Sequence, residues 1–196
     1  MGQNKLYPIF LKLENLHTLL VGGGNVGLEK LEALLKSSPA ARVTIIADRI
    51  CDEIVRLAAA NSNIKLLLRK FFTSDLEGFD LLILATDDRQ LHERIKVEAR
   101  KKRILTNVAD TPDLCDFYLG SVVQKGDLKI GISTNGKSPT FAKRFREFLE
   151  DVLPENLQEL IDNLHNYRNG LKGDFQLKVN ALNELTASFL SKKTTT

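Results

Sequence analysis

Gly22, Gly24 and Gly27, inside the stretch LLVGGGNVGLEK (19–30), carry the G-x-G-x-x-G spacing. Glycine costs backbone entropy and offers no side chain to bury, so a cluster implies that the backbone itself is needed. The spacing serves a dinucleotide: the first glycine makes the turn, the second lets a pyrophosphate approach, and the third lets helix pack close on strand. Asp48 follows Gly27 by 21 residues (48 − 27). A carboxylate at the end of a second strand can accept from both ribose hydroxyls of NAD and would repel a 2′-phosphate. Arg49 beside it could instead receive that phosphate, yet the pattern favours NAD over NADP. Further along, Thr86-Asp87-Asp88 and the run Asn107 to Asp110 close two other apolar segments. Thr86 is a candidate cofactor contact or a helix N-cap, a role open also to Asp87 or Asp88.

These residues need elements that bring them to one edge. HTLLVGG (17–23), ARVTIIAD (41–48), IKLLLRK (64–70), FDLLILAT (79–86) and ILTNVAD (104–110) read as strands. Helical patterns fill the intervals at 26–38, 52–61 and 88–103, the last with Leu91, Ile95 and Ala99 on one face. Nearly uninterrupted apolar strands alternating with helices predict a parallel sheet covered on both sides, a doubly wound α/β domain of Rossmann type. In such a sheet ligands collect at the carboxyl ends of the strands, where all the residues above fall. After Pro112 the rhythm changes. FYLGSVVQKGDLKIGIST (117–134) predicts an antiparallel hairpin around KGD, and Ser138-Pro139 predicts a helix start. The remainder to about 191 reads as helical, with breaks at Pro154 and Gly170–Gly173, and the terminal KKTTT as frayed.

Composition narrows the function classes. The chain has 196 residues, 43% hydrophobic and 27% charged, with a net charge of +3. That charge is too mild to argue for nucleic acid, and no apolar run approaches the ~20 residues of a membrane span. MGQNKLYPIF lacks the layout of a secretory signal, so the chain reads as cytoplasmic. Cys51 and Cys115 form no CxxC pair and read as buried spectator thiols. His17, His92 and His165 have no metal-ligand spacing, so no metal site is expected. Cations concentrate in RKKR (100–103) and KSPTFAKRFR (137–146), either as solvated helix faces or as partners of a small polyanion.

Four segments together, PIFLKLENLHTLLVGGGNVGLEKLEALL, LATDDRQLHERI, TNVADTPDLCDFYLGSVV and GISTNGKSPTFAKRFRE, resemble the precorrin-2 dehydrogenase module of siroheme synthase, from about Pro8 to Leu153. The pairing of N-V-x-D with S-T-N-G-x-S-P-x-x-A is the diagnostic part. The resemblance implies NAD-dependent conversion of precorrin-2 to sirohydrochlorin in siroheme (tetrapyrrole, porphyrin-type) biosynthesis, and in some members Fe2+ insertion at the same site. Asp110 matches the family's catalytic aspartate, a carboxylate able to take the proton that must leave the macrocycle along with a hydride. By the same match Asn25 and Val26 touch NAD, and Asp48 and Arg49 lie on the adenosine side; Asn107 is expected by the cofactor from its place at a strand's carboxyl end. Ser138 matches a serine beside the tetrapyrrole. Gly136 to Ser138 would offer free amides to a carboxylate, with Lys137, Lys143, Arg144 and Arg146 as cationic partners for a polycarboxylate. The resemblance also implies a homodimer. It divides the chain into an NAD-binding domain (1–112), a dimerisation and active-site segment (113–153) and a C-terminal helical region (154–196). A ferrochelatase and a non-enzymatic NAD(H)-sensing module are the competing readings.

Overall fold

The computed structural model describes residues 3–171 and 175–187. Its first element, β1 (His17–Gly23), is followed by α1 (Asn25–Ser37), β2 (Arg42–Ile50), α2 (Asp52–Ala60), β3 (Ile64–Leu68), β4 (Leu81–Leu84), α3 (Arg89–Lys101) and β5 (Leu105–Val108). The five strands form one sheet in the order β3-β2-β1-β4-β5, every neighbouring pair parallel. The order reverses between β1 and β4, and this switch point is where a doubly wound sheet opens a crevice.

The apolar strands owe their lack of alternation to burial on both faces. Leu20, Val43, Ile45, Leu81 and Ile83 pack with Leu31, Leu34 and Ile54 of α1 and α2. Leu19, Val21, Ile46, Leu82 and Leu84 point the other way, onto Ile95 and Ala99 of α3. Leu19, Leu20, Ile45, Leu82 and Leu84 have no measurable exposure. Full burial of each such side chain contributes about 1.5–3 kcal/mol before the entropy of ordering is subtracted. Strands one, two, four and five therefore arise where the apolar runs lie, with ends shifted by a few residues. β3 stops at Leu68, two residues short of the 64–70 run, because Arg69 turns aside to pair with Asp75.

The chain then forms β6 (Ser121–Lys125), β7 (Leu128–Ile132), α4 (Pro139–Val152), α5 (Leu157–Gly170) and α6 (Phe175–Thr186). β6 and β7 are an antiparallel hairpin turning at Gly126, whose φ is 57°. Gln158 of α5 clamps that turn, accepting from Asp127 N–H at 2.7 Å and donating to Asp127 Oδ2 at 3.0 Å. Pro139 opens α4 at its first position, as the Ser-Pro pair predicts. α5 presents Leu157, Leu160, Ile161 and Leu164 half-buried along one side, in keeping with packing. α5 ends at Gly170, where the expected Gly170–Gly173 break begins; residues 172–173 of that break and the terminal KKTTT lie outside the described residues. By internal contacts the chain separates into two units, residues 1–121 with 133–139, and residues 122–132 with 140–196. No helix among the described residues is long and apolar enough to cross a membrane.

Candidate dinucleotide and acid–base site

The register of the sheet gathers most of the candidate residues. Val21 of β1 pairs with Leu84 of β4, and Leu84 with Val108 of β5. Gly24, Thr86 and Asp110 thus stand three, two and two residues beyond three aligned positions, along one carboxyl edge. With adjacent strands ~4.8 Å apart, β1 and β5 are separated by roughly 10 Å, a span that a dinucleotide's reactive half can bridge.

Each glycine of the motif does a different job. At Gly22, with φ 120°, a Cβ would stand 2.3 Å from the Ala85 carbonyl oxygen, so only glycine lets β1 leave the sheet beside β4. A Cβ on Gly27 would meet the Gly22 carbonyl oxygen at 2.3 Å, so its absence lets α1 sit on β1. At Gly24 a Cβ would meet nothing within 4 Å. The open space in front of Gly24 is the one a phosphate group would take. Gly24 is the N-cap of α1 and no side chain caps that terminus. The first hydrogen bond of the helix runs from Leu28 N–H to the Gly24 oxygen at 2.9 Å. The N–H groups of Gly24, Asn25, Val26 and Gly27 are left without intrahelical acceptors, and Gly24, Asn25 and Val26 are exposed. Unused amides at an exposed helix N-terminus carry partial positive charge and can receive an anion such as a pyrophosphate.

A fourth glycine, which sequence reasoning passed over, completes the turn. A Cβ on Gly23 would lie 2.4 Å from the Arg49 carbonyl oxygen. Val21 pairs with Ile46 but Gly23 with Ile50, so β2 bulges between these points. Asp48 is therefore not the last residue of its strand, as 41–48 implied. It stands exposed inside the bulge, with Arg49 also exposed beside it. The local signal was the GGG run itself, one glycine longer than the motif requires.

Thr86 is half-buried just past β4. It does not cap α3: Asp88 does, its Oδ1 accepting from Leu91 N–H at 2.9 Å. The Thr86 hydroxyl lies 2.8 Å from His92 Nε2 instead. His92, dismissed at the sequence level as a scattered histidine, is 3% exposed. Burial pushes its pKa below the ordinary histidine value, against the opposing pull of Asp88 and Asp87. Asn107 departs from expectation. It is 6% exposed and its amide donates to the Phe117 carbonyl at 2.9 Å, so it ties down the chain after β5 rather than facing the crevice. Cys115 joins this structure half-buried rather than buried, accepting from Val108 N–H at 3.2 Å. Burial raises its pKa, away from thiolate chemistry. Asp110 is exposed and adopts φ 53°, a left-handed conformation that costs a non-glycine residue energy and is concentrated at functional positions.

The 134–138 turn differs from its expected form. Lys137 N–H donates to the Thr134 carbonyl and Ser138 N–H to the Thr134 hydroxyl, both at 3.1 Å. Of the three amides expected to be free, these two are used by the turn, because Thr134 can accept from both. Asn135 and Gly136 reach φ 55° and 74° to make it. Gly136 and Lys137 remain exposed. Arg144 belongs to the second unit, where its guanidinium pairs with Glu147 at 2.9 Å, and Arg146 is held by both oxygens of Glu150 at 2.8 Å. Lys143 is exposed on the same helix.

The chain is similar to known proteins along most of its length. Residues 9–121 match the family described as putative NAD(P)-binding, and residues 125–151 match the sirohaem biosynthesis protein central module. The chain is 40% identical to a siroheme synthase of Methylococcus capsulatus over 153 residues, 78% of this chain and 32% of that protein. To that of Psychrobacter arcticus it is 35% identical over 176 residues, 90% of this chain and 31% of that protein. It spans about a third of the length of the curated relatives it matches. Among solved structures, SirC, a precorrin-2 dehydrogenase, superposes with a TM-score of 0.74 at 24% identity, covering 92% of this chain and 89% of that one. That likeness establishes a shared fold.

Proposed function

The chain belongs to the putative NAD(P)-binding family, and on that premise we propose that it is an NAD-dependent precorrin-2 dehydrogenase, making sirohydrochlorin for siroheme. The observation that carries the reading is the shared carboxyl edge. An open cradle at Gly24 and a strained, exposed aspartate at Asp110 lie at the ends of β1 and β5. NAD, when bound, supplies the hydride acceptor. The amides of Asn25, Val26 and Gly27 and the positive end of α1 hold the pyrophosphate. Asp48 accepts from the ribose hydroxyls, and Arg49 covers the adenosine side. Asp110 takes the proton released from the macrocycle as the hydride departs, so precorrin-2 and NAD⁺ become sirohydrochlorin, NADH and H⁺.

Gly136, Lys137 and Ser138 of the first unit are proposed for carboxylates of the tetrapyrrole, and Arg144 of the second unit is proposed as a cationic partner in its own right. The exposure of Gly136 and Lys137 in the turn supports this. Asn107 takes part by fixing the segment that follows β5. We place the enzyme in the cytoplasm as a homodimer. The exposed stack of Phe141, Phe145 and Phe148 on α4, with ring centroids 5.8 and 6.1 Å apart, supports the dimer as a surface suited to a second copy.

The test is anaerobic precorrin-2 with NAD⁺ and, in parallel, NADP⁺, followed by NADH absorbance and the sirohydrochlorin spectrum. Equal amounts of both products, lost in Asp110→Asn while NAD⁺ binding persists, support the assignment. Bound NAD⁺ without product would overturn it and favour a sensing module. Fe²⁺ added to the same reaction tests insertion.

A further inference from the structure

We propose that His92 is a positioning residue that makes the Thr86 hydroxyl a hydrogen-bond donor at the crevice, so that Thr86 takes an acceptor oxygen of the dinucleotide. The inference rests on the dinucleotide reading of this edge and adds to it a residue from α3. His92 Nε2 lies 2.8 Å from Thr86 Oγ1, while Nδ1 is buried with no hydrogen-bond partner among the described residues. A neutral imidazole carries one N–H and one bare nitrogen. A buried N–H without an acceptor is rarer and costlier than a bare nitrogen left alone. The proton therefore belongs on Nε2, where it has Thr86 to bond, and Nδ1 is the bare atom. The lowered pKa of His92 keeps the ring neutral near pH 7.

With Nε2–H donating, one lone pair of the Thr86 oxygen is occupied and its own proton is turned away from the ring. Thr86 is half-buried there, and its methyl lies 3.3 Å from where a Cβ on Gly22 would stand, beside the glycine turn. The hydroxyl's one proton is then available to an acceptor, such as a phosphate or carboxamide oxygen. The opposite tautomer would present the crevice with lone pairs and select a donor.

Two measurements on the full chain decide it. Long-range 15N–1H correlation spectra of the imidazoles are expected to show His92 protonated on Nε2 and bare on Nδ1. A ring protonated on Nδ1 overturns the proposal. NAD⁺ titrations of wild type, His92→Leu, Thr86→Val and the double variant form a cycle, with thermal melts to verify folding. Each single change is expected to weaken NAD⁺ about tenfold, equivalent to 1.4 kcal/mol, and the double change to be no worse. His92→Gln, whose amide can reach the Nε2 position, is expected to recover most of the affinity, and His92→Asn, whose amide falls at Nδ1, to recover little. Additive losses, or equal behaviour of Gln and Asn, overturn the inference while leaving the dinucleotide site standing. Failure of wild type to bind NAD⁺ or NADP⁺ removes both.

Discussion

Gly22 and Gly24 are two positions apart and respond to a methyl group in opposite ways. Gly22→Ala drives a Cβ into the Ala85 carbonyl at 2.3 Å from a φ of 120°, so a stability loss of about 2–4 kcal/mol in denaturant unfolding is expected. Gly24→Ala has an ordinary φ of −89° and open space, and its stability should change by less than about 1 kcal/mol. Its NAD⁺ affinity should nevertheless fall at least about tenfold, because the methyl occupies the phosphate's place. Unchanged affinity in isothermal titration would mean that no phosphate approaches here. Asp110 gives the complementary case of stability yielding to chemistry. Asp110→Gly relieves the left-handed strain at φ 53° and should raise stability by about 0.5–1 kcal/mol while abolishing turnover. A variant destabilised by more than about 1 kcal/mol, the most that glycine's added unfolded-state entropy costs, would show that no strain is stored at this residue.

At the scale of elements, capping and side-chain ties decide where segments stop. Asp88 starts α3 by accepting from Leu91 N–H, and Asp88→Ala should cost about 1 kcal/mol on thermal melting. The segment after β3 is tied by a fork from Arg69 to both oxygens of Asp75, each at 2.7 Å, with Phe72 N–H also donating to Asp75. The Arg69 hydrogen bonds hold the Asp75 carboxyl below its usual value, with the Phe72 amide assisting. A carboxylate whose pKa is lower in the folded state binds fewer protons there than in the unfolded chain. Its stabilisation is complete above the unfolded value of about 4 and drains away as the pH falls through the folded one. Asp75→Asn should therefore be less stable than wild type at pH 7, and the gap should narrow in urea titrations taken below about pH 4. A gap that holds constant with pH would remove the charge from the explanation.

For the whole molecule, the two units have different characters. The first buries its strands on both faces, while among the described residues of the second Val123 and Ala142 are the buried apolar ones and Phe141, Phe145, Phe148 and Val152 are exposed. An exposed aromatic row of this kind is a surface suited to association, and the homodimer proposed above can be tested on it. Sedimentation equilibrium should return twice the 22.0 kDa chain mass for wild type and the chain mass for Phe145→Glu. A monomeric wild type would refute the homodimer.

Much of the fold could be read directly. Continuous apolar runs can be buried only as strands covered twice, and the glycine spacing has one economical use, so the five-stranded sheet and its cradle follow from local chemistry. The same holds for the hairpin around Gly126 and for proline at the head of α4. Tertiary structure decided what depends on partners distant in sequence. Gly23 is needed because β2 bulges against it. Asn107 spends its amide on Phe117 and Thr134 consumes the amides of Lys137 and Ser138, and neither bond is visible in residue type. His92 looked like an isolated histidine because its partner, Thr86, is reached only when α3 folds back beside β4. The sequence by itself determined where the backbone is bare of side chains and makes its tight turn. Only the packed chain determined which side chains were left to face a ligand, because each buried donor and acceptor takes a partner inside the fold first.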